Sequence, residues 1–369
     1  MNNFLSQRSS MIDASGIRKV FDLAAQLKDP INFSIGLPDF DVPEKIKTAA
    51  ADAIEQGKNR YSLTAGIPEL REKISREVCS MYGWDNADTL VASGVSGGLL
   101  LTFLATIDPG DEVIVPDPYF VIYKHIINVL GGKCVYLDTY PDFQIDPEKL
   151  EDKITDRTKI IILNSPSNPT GAVYSEECVK AVAEIANRRD ILIMSDEIYD
   201  KFSYSGRCPS AADYSENTIL MKGFSKSYAM TGWRMAYVSV QEKLKGLLNE
   251  MTKFQQYTFV CAPTPFQYAA LEAMDCDISD KVASYARKRD MLFEGLKGKF
   301  EITKPEGAFY MFPKAPGMSG SEFVEKAIEN NVLIIPGSVF SEKDTHFRIS
   351  YATSDEKIKQ GIDILNSIV

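Results

Sequence analysis

Histidine is almost absent from this chain. Two occur in 369 residues, His125 and His346, far apart in the sequence, which argues against a zinc site built on several imidazoles. Cysteine is sparse: the six, at 79, 134, 178, 208, 261 and 276, contain no C-x-x-C pair. A chain this long reads as a reduced, cytoplasmic protein rather than a disulfide scaffold. Basic residues are in deficit, 41 Lys and Arg against 51 Asp and Glu, for a net charge of −10. That balance argues against nucleic-acid partners, while a locally basic pocket for a small anion stays open. Long apolar runs are missing too. The stretches 160–163 and 332–335 are far too short to cross a bilayer. Met1-Asn2-Asn3-Phe4-Leu5-Ser6-Gln7-Arg8 has no apolar core of signal-peptide length. No membrane partner is expected.

What is present is an ordinary globular balance, 44% apolar and 25% charged. The length exceeds one typical core, so a second domain is expected. From residue 89 the pattern alternates. Strands are predicted at 89–92, 112–115, 134–137, 159–163, 191–195, 218–222 and 235–240. Between them lie helix-like stretches at 96–107, 119–130, 147–154 and 175–188, the last opening on a Ser-Glu-Glu capping pattern. This predicts an α/β fold with a mostly parallel sheet of seven strands and helices on both faces. Beyond Glu242 helical spacing dominates, at 243–254, 265–274 and 278–296. An α+β rhythm then returns, with a hairpin-like region at 300–312, a helix at 321–330, strands at 332–335 and 347–351, and a helix at 354–368. The expected division is an arm at 1–45 packing with a smaller α+β domain at 271–369, beside a large domain at 46–270.

The chemistry concentrates in Gly223-Phe224-Ser225-Lys226-Ser227-Tyr228, followed by Gly232-Trp233-Arg234. A partly desolvated lysine can form a Schiff base with an aldehyde. A serine hydroxyl and an arginine fork beside it can hold a phosphate dianion. Together they describe a site for pyridoxal 5'-phosphate, an aldehyde that carries a phosphate. Such a site needs further parts, and strand ends supply candidates. Asp196, in Ser195-Asp196-Glu197-Ile198-Tyr199, can keep a pyridine nitrogen protonated, and Tyr199 can donate to a phenolic oxygen. Asn168, in Asn164-Ser165-Pro166-Ser167-Asn168-Pro169-Thr170-Gly171, can donate to the same oxygen. Ser93-Gly94-Val95-Ser96-Gly97-Gly98 can offer helix-start amides at Val95 and Ser96 to a phosphate. Phe120 can stack on a ring, and Arg348 can pair with a substrate carboxylate. Taken singly, these residues also fit a surface lysine, a solvated acid, a turn, a core aromatic and a structural salt bridge.

Jointly they resemble a known family, the fold type I pyridoxal phosphate enzymes, and within it the class I aminotransferases near bacterial and archaeal aspartate and aromatic aminotransferases. The resemblance rests on Y-S-L-T-A-G-I-P-E-L-R from Tyr61, N-S-P-S-N-P-T-G from Asn164, D-E-I-Y from Asp196, S-K-S-Y-A-M-T-G-W-R from Ser225 and F-R-I-S-Y-A from Phe347. It extends from about Ser34 to the last helix. It implies that Lys226 is the Schiff-base lysine and the base of a 1,3-proton shift, with Asp196 on the ring nitrogen and Asn168 and Tyr199 on the phenolic oxygen. It implies that Val95, Ser96, Ser225 and Arg234 hold the phosphate, that Phe120 stacks, and that Arg348 binds the α-carboxylate beside Gly36. Tyr61 would reach the phosphate of a neighbouring subunit, which implies a homodimer. One departure is Val95-Ser96, where the family often carries a small residue followed by lysine or threonine.

The implied reaction is transfer of an amino group between an amino acid, with aspartate or aromatic donors favoured, and a 2-oxo acid such as 2-oxoglutarate. The same lysine and fold also serve β-eliminating lyases and cyclases. G-x-S-x-G around Ser96, with His346 downstream, matches a serine-hydrolase order, but it leaves Lys226, Asp196, Arg234 and Arg348 without a shared purpose. A regulator built on this fold would carry an added DNA-binding segment. For the substrate side chain, Arg18 and the aromatics Tyr257, Phe259 and Phe309 are candidates, each also readable as surface or core.

Overall fold

The computed structural model of the chain describes residues 4–12 and 27–369. Twelve strands lie among the described residues. β1 is Ile31–Asn32, β2 Asp88–Ser93, β3 Glu112–Asp117, β4 Lys133–Asp138, β5 Thr158–Asn164 and β6 Leu192–Asp196. β7 is Thr218–Gly223, β8 Met235–Val240, β9 Tyr310–Met311, β10 Val332–Leu333, β11 Ile335–Pro336 and β12 Phe347–Ser350. Seven of them form one sheet in the order β2-β8-β7-β6-β5-β3-β4. β8 runs antiparallel to both its neighbours, and the other pairs are parallel.

The parallel strands are continuous apolar runs because both of their faces are covered. On β5, Ile160 and Ile162 pack with Leu99, Phe103 and Met251 on one side. Ile161 and Leu163 pack with Val182 and Ala186 on the other. The period-2 alternation of the strand thus splits one run of four between two cores. The helix Glu176–Arg189, which supplies Val182 and Ala186, is capped as its sequence suggested. Ser175 Oγ accepts from the Cys178 amide at 3.1 Å, with acids in the first turn and Arg188 and Arg189 in the last.

Pairing register delivers the site. Asn164 at the end of β5 lies opposite Asp196 at the end of β6, and Asp196 lies opposite Met221 of β7. Because β8 runs the other way, it starts where β2 and β7 finish: Ser93 faces Met235 and Gly223 faces Ala236. Arg234, just before β8, is therefore brought to the edge that also carries Asn164, Asp196 and the segment after Gly223. A smaller sheet, β11-β12-β9, carries Arg348. It is tied to the N-terminal part of the chain by the Ser350 amide, which donates to the Phe33 carbonyl at 2.7 Å, and β1 pairs separately with β10.

Several elements differ from the sequence expectation. The helix expected from 119 begins at Ile122, and the Tyr119 amide ahead of it donates to the Phe340 carbonyl at 2.7 Å. The single strand expected at 332–335 is two, since β10 pairs with β1 while β11 pairs with β12. The 300–312 region is not a self-paired hairpin; its one strand, β9, pairs with β12. Helices Glu44–Glu55 and Pro68–Tyr82 were not anticipated. The second has clear boundary chemistry, Pro68 at its first position and Gly83 with a φ of 68° closing it.

Candidate active site

A cavity of about 340 Å³ opens at the carboxyl ends of β2, β5, β6 and β7. Lys226 stands in it on the one-turn helix Phe224–Ser227 that follows β7. Its Nζ donates to the Gly36 carbonyl at 2.6 Å. Burial pushes the ammonium down to about 8, and the charges of Arg348 and Arg234 add to the effect. Lysine depressed in this way holds a usable neutral amine near neutral pH.

Asp196 is 1% exposed. The Tyr123 hydroxyl donates to its Oδ2 at 2.6 Å and the Ile198 amide to its Oδ1 at 3.3 Å. Burial still pushes its carboxyl up to about 6, against the opposing pull of those bonds and of Lys226. Asn164 organises this edge. Its amide donates to the Asp196 carbonyl at 3.0 Å, and its side-chain oxygen accepts from the Asn168 amide at 2.9 Å. The Asn168 side-chain oxygen accepts from Arg348 Nη1 at 3.0 Å, so its N–H2 is the donor left over. The Tyr199 hydroxyl lies 2.8 Å from that of Tyr310.

Two guanidinium groups line the cavity, and neither meets a carboxylate among the described residues. Arg234 donates from Nη1 to the Thr231 carbonyl at 2.9 Å. Gly94, with a φ of 72°, abuts its fork so closely that a β-carbon would overlap it. Arg348, 2% exposed, donates from Nη2 to the Ser34 carbonyl at 2.8 Å and leaves Nε without a partner. Its guanidinium is stacked between Tyr310 and Phe340, each ring centre 4.6 Å away. A structural salt bridge, the ordinary reason for a buried arginine, is not what holds it.

Ser225, Val95, Ser96, Phe120 and Gly36 also line the cavity. Tyr61 does not; it is 82% exposed on the surface of the protomer. The residues present suit a phosphorylated aldehyde: an unpaired guanidinium against a glycine cradle, an amine of lowered basicity, and a buried acid. Tyr123, Asn164 and Tyr310 were not singled out from the sequence. A tyrosine predicted to be buried needs a partner for its hydroxyl, which was the available signal for two of them.

Other expectations find no place in the cavity. His346 is stacked on Phe312, its Nδ1 lies 2.8 Å from Thr345 Oγ1, and burial pushes its imidazole down to about 4. It makes no contact with Ser96, so the serine-hydrolase arrangement is not formed. Phe309 is core, and Tyr257 and Phe259 are exposed. Arg18 lies outside the described residues. Among the described residues no cluster suited to a metal ion occurs, and no helix is long and apolar enough to cross a membrane.

Comparisons with known proteins agree on one family. The family model for aminotransferase class I and II matches residues 28–365. A probable aspartate aminotransferase of Methanocaldococcus jannaschii is 43% identical over 375 residues, covering 99% of this chain and 99% of its own. Aromatic-amino-acid aminotransferase 2 of Thermococcus litoralis is 36% identical over 384 residues, covering 99% of this chain and 98% of its own. Among solved structures, the aspartate aminotransferase of Thermus thermophilus with maleate has a TM-score of 0.92 at 35% identity, covering 100% of both chains.

Proposed function

Because this chain belongs to the aminotransferases of class I and II, we propose that it moves the amino group of aspartate or an aromatic amino acid to a 2-oxo acid such as 2-oxoglutarate. It is a pyridoxal phosphate-dependent transaminase. The choice of donor is supported by relatives described as aspartate and aromatic aminotransferases. It is also supported by the solved relative with maleate, a small dicarboxylate.

One observation carries the reading: Lys226 lies between two guanidinium groups that meet no carboxylate among the described residues. One would serve each anionic end of the reaction. Arg234, with Ser225 and the amides of Val95 and Ser96, would hold the cofactor phosphate. Arg348, beside Gly36, would hold the substrate α-carboxylate, and the stacked rings on either side of it keep the fork planar to that carboxylate. Bound between them, pyridoxal phosphate supplies an electron sink that makes the α-carbon acidic. Asp196 would keep the ring nitrogen protonated, Asn168 and Tyr199 would donate to the phenolic oxygen, and Phe120 would cover the ring. Lys226 would hold the aldehyde until the substrate amino group displaced it, and its freed Nζ would then take the α-proton and deliver it to the carbon that had been the aldehyde. Two half-reactions at one site imply ping-pong kinetics.

We read the active form as a homodimer in which Tyr61 of one protomer reaches the phosphate end of its neighbour's cavity. The exposure of Tyr61, Leu63 and Tyr257 supports this. We also read 46–270 as a large domain and 271–369, joined by the arm at 1–45, as a smaller one; the β1–β10 pairing supports that grouping. A cytoplasmic location is supported by the unpaired state of all six cysteines.

The test is a donor panel with 2-oxoglutarate, measuring glutamate and the new 2-oxo acid. Parallel double-reciprocal plots with aspartate or an aromatic donor, and their loss in Lys226→Ala, are expected. Release of ammonia and pyruvate without glutamate would overturn the transamination reading.

A further inference from the structure

The Tyr310 ring flanks Arg348, but its hydroxyl has no part in the roles assigned above, and the residue meets three of the groups that carry them. It lines the cavity from β9. Its hydroxyl lies 2.8 Å from the Tyr199 hydroxyl. Its ring lies under the Arg348 guanidinium at 4.6 Å. A β-carbon on Gly36 would come to 2.5 Å from its hydroxyl oxygen, so the chain can pass there only as glycine. Strand pairing fixes the position, since Tyr310 faces Ser350, two residues beyond Arg348 on β12.

Hydrogen-bond accounting, together with the role assigned to Tyr199, gives the direction of the Tyr199–Tyr310 contact. Each tyrosine has one proton to donate. Both are buried, at 3% and 1% exposure. Among the described residues Tyr199 is the only hydrogen-bond partner of the Tyr310 hydroxyl. Both hydroxyls line the cavity and either could donate across the contact, but a Tyr199 that gives its one proton to the cofactor's phenolic oxygen, as assigned above, can only accept from Tyr310. With Tyr310 as donor, its proton is satisfied and the Tyr199 O–H is free to point into the cavity that Tyr199 lines.

We propose that Tyr310 is a positioning residue of this site: its hydroxyl donates to Tyr199 Oη and aims the Tyr199 proton into the cavity, while its ring holds the Arg348 guanidinium. The proposal rests on the reading of the cavity as the cofactor and substrate site. A hydroxyl that accepts a hydrogen bond is itself a stronger donor. Tyr199, so polarised, favours the anionic form of the cofactor's phenolic oxygen. The two halves of Tyr310 therefore separate: the hydroxyl acts on the cofactor through Tyr199, and the ring acts on the substrate through Arg348.

The experiment is a spectrophotometric pH titration of the loaded enzyme without substrate, in wild type, Tyr199→Phe, Tyr310→Phe and the double variant. Losing a donor at the phenolic oxygen disfavours its anion, so the midpoint of the absorbance change moves up in Tyr199→Phe. It moves up by roughly a few tenths of a pH unit in Tyr310→Phe. In the double variant it stays where Tyr199→Phe left it, because Tyr310 acts only through Tyr199. KM for the amino donor is unchanged in Tyr310→Phe and rises about 2–5-fold in Tyr310→Leu, which removes the ring. A wild-type midpoint in Tyr310→Phe, or additive shifts in the double variant, overturns the proposal. Should Tyr310→Phe not fold, Tyr310→Leu, which lacks the same hydroxyl, is titrated in its place, and an unmoved midpoint there overturns it equally. A wild-type protein that shows no cofactor band overturns the cofactor reading, and this inference with it.

Discussion

Arg348 Nη1 donates to Asn168 Oδ1 across 3.0 Å, and no carboxylate among the described residues approaches the guanidinium. A buried cation without an ion partner is costly, on the order of several kcal/mol. In the free protein the bonds to Asn168 and the Ser34 carbonyl and the two flanking rings offset part of that cost, and a substrate carboxylate would offset more. The unpartnered Nε marks where one of the two carboxylate oxygens would be received. Arg348→Met is expected to raise KM roughly 100-fold or more for every amino donor, whatever its side chain. The apo-protein's melting temperature should not fall, because the variant removes an unpaired buried charge. A donor panel and a thermal melt check both parts. Selective loss of one donor class would argue that Arg348 reads the side chain and not the α-carboxylate.

Gly94 and Arg234 form a second coupled pair. Gly94 opens the helix Gly94–Thr106 at a φ of 72°, and its missing side chain leaves room for the Arg234 fork. Gly94→Ala must both strain the helix start and displace the guanidinium. The expected result is a dissociation constant for pyridoxal phosphate raised by about tenfold or more, with far-ultraviolet dichroism unchanged. Fluorescence titration of the apo-protein with pyridoxal phosphate measures it. Unaltered affinity would mean that Arg234 does not take the phosphate.

The central sheet was legible in the sequence because its strands are short β-branched runs between helices, a pattern that packing on two faces demands. The break at Ile334 was not legible. It depends on β10 and β11 choosing different partners, and nothing in Val332-Leu333-Ile334-Ile335 signals that choice. Residues at strand ends, such as Asp196, could be proposed from the sequence alone because ligands gather at those ends. Tyr123 and Tyr310 could not. Their meaning lies in partners 73 and 111 residues away, Asp196 and Tyr199. A tyrosine's sequence neighbours do not reveal such contacts.

The Asp196 carboxyl titrates at about 6 instead of its usual 3.8, because burial opposes its charge. The folded protein therefore holds this proton more tightly than the unfolded chain. Protonated Asp196 favours the fold at low pH, and that advantage is lost as pH rises from about 4 through about 6. Asp196→Asn, which keeps an acceptor for Tyr123, should raise the melting temperature of the apo-protein at pH 8 and leave it nearly unchanged at pH 4. Transamination should fall by several orders of magnitude, since an amide cannot hold a ring nitrogen protonated. Equal melting shifts at both pH values would show that the carboxyl is not the titrating group.

For Lys226 the shift runs the other way, down to about 8, from burial first and then the Arg348 and Arg234 charges. Only the neutral amine can attack an aldehyde. Capture of pyridoxal phosphate by the apo-protein, followed by stopped-flow absorbance, should therefore speed up with rising pH and level off above about 8. The two arginines make the prediction specific. Removing one positive neighbour makes the ammonium easier to keep, so in Arg348→Met the midpoint should move upward, toward that of an ordinary lysine. The plateau rate should be little changed, because Arg348 serves the substrate and not the incoming aldehyde. A wild-type midpoint near 10 would show that Lys226 is not desolvated in the free protein. A midpoint unmoved in Arg348→Met would show that Arg348 does not contribute, leaving burial and Arg234 to set it.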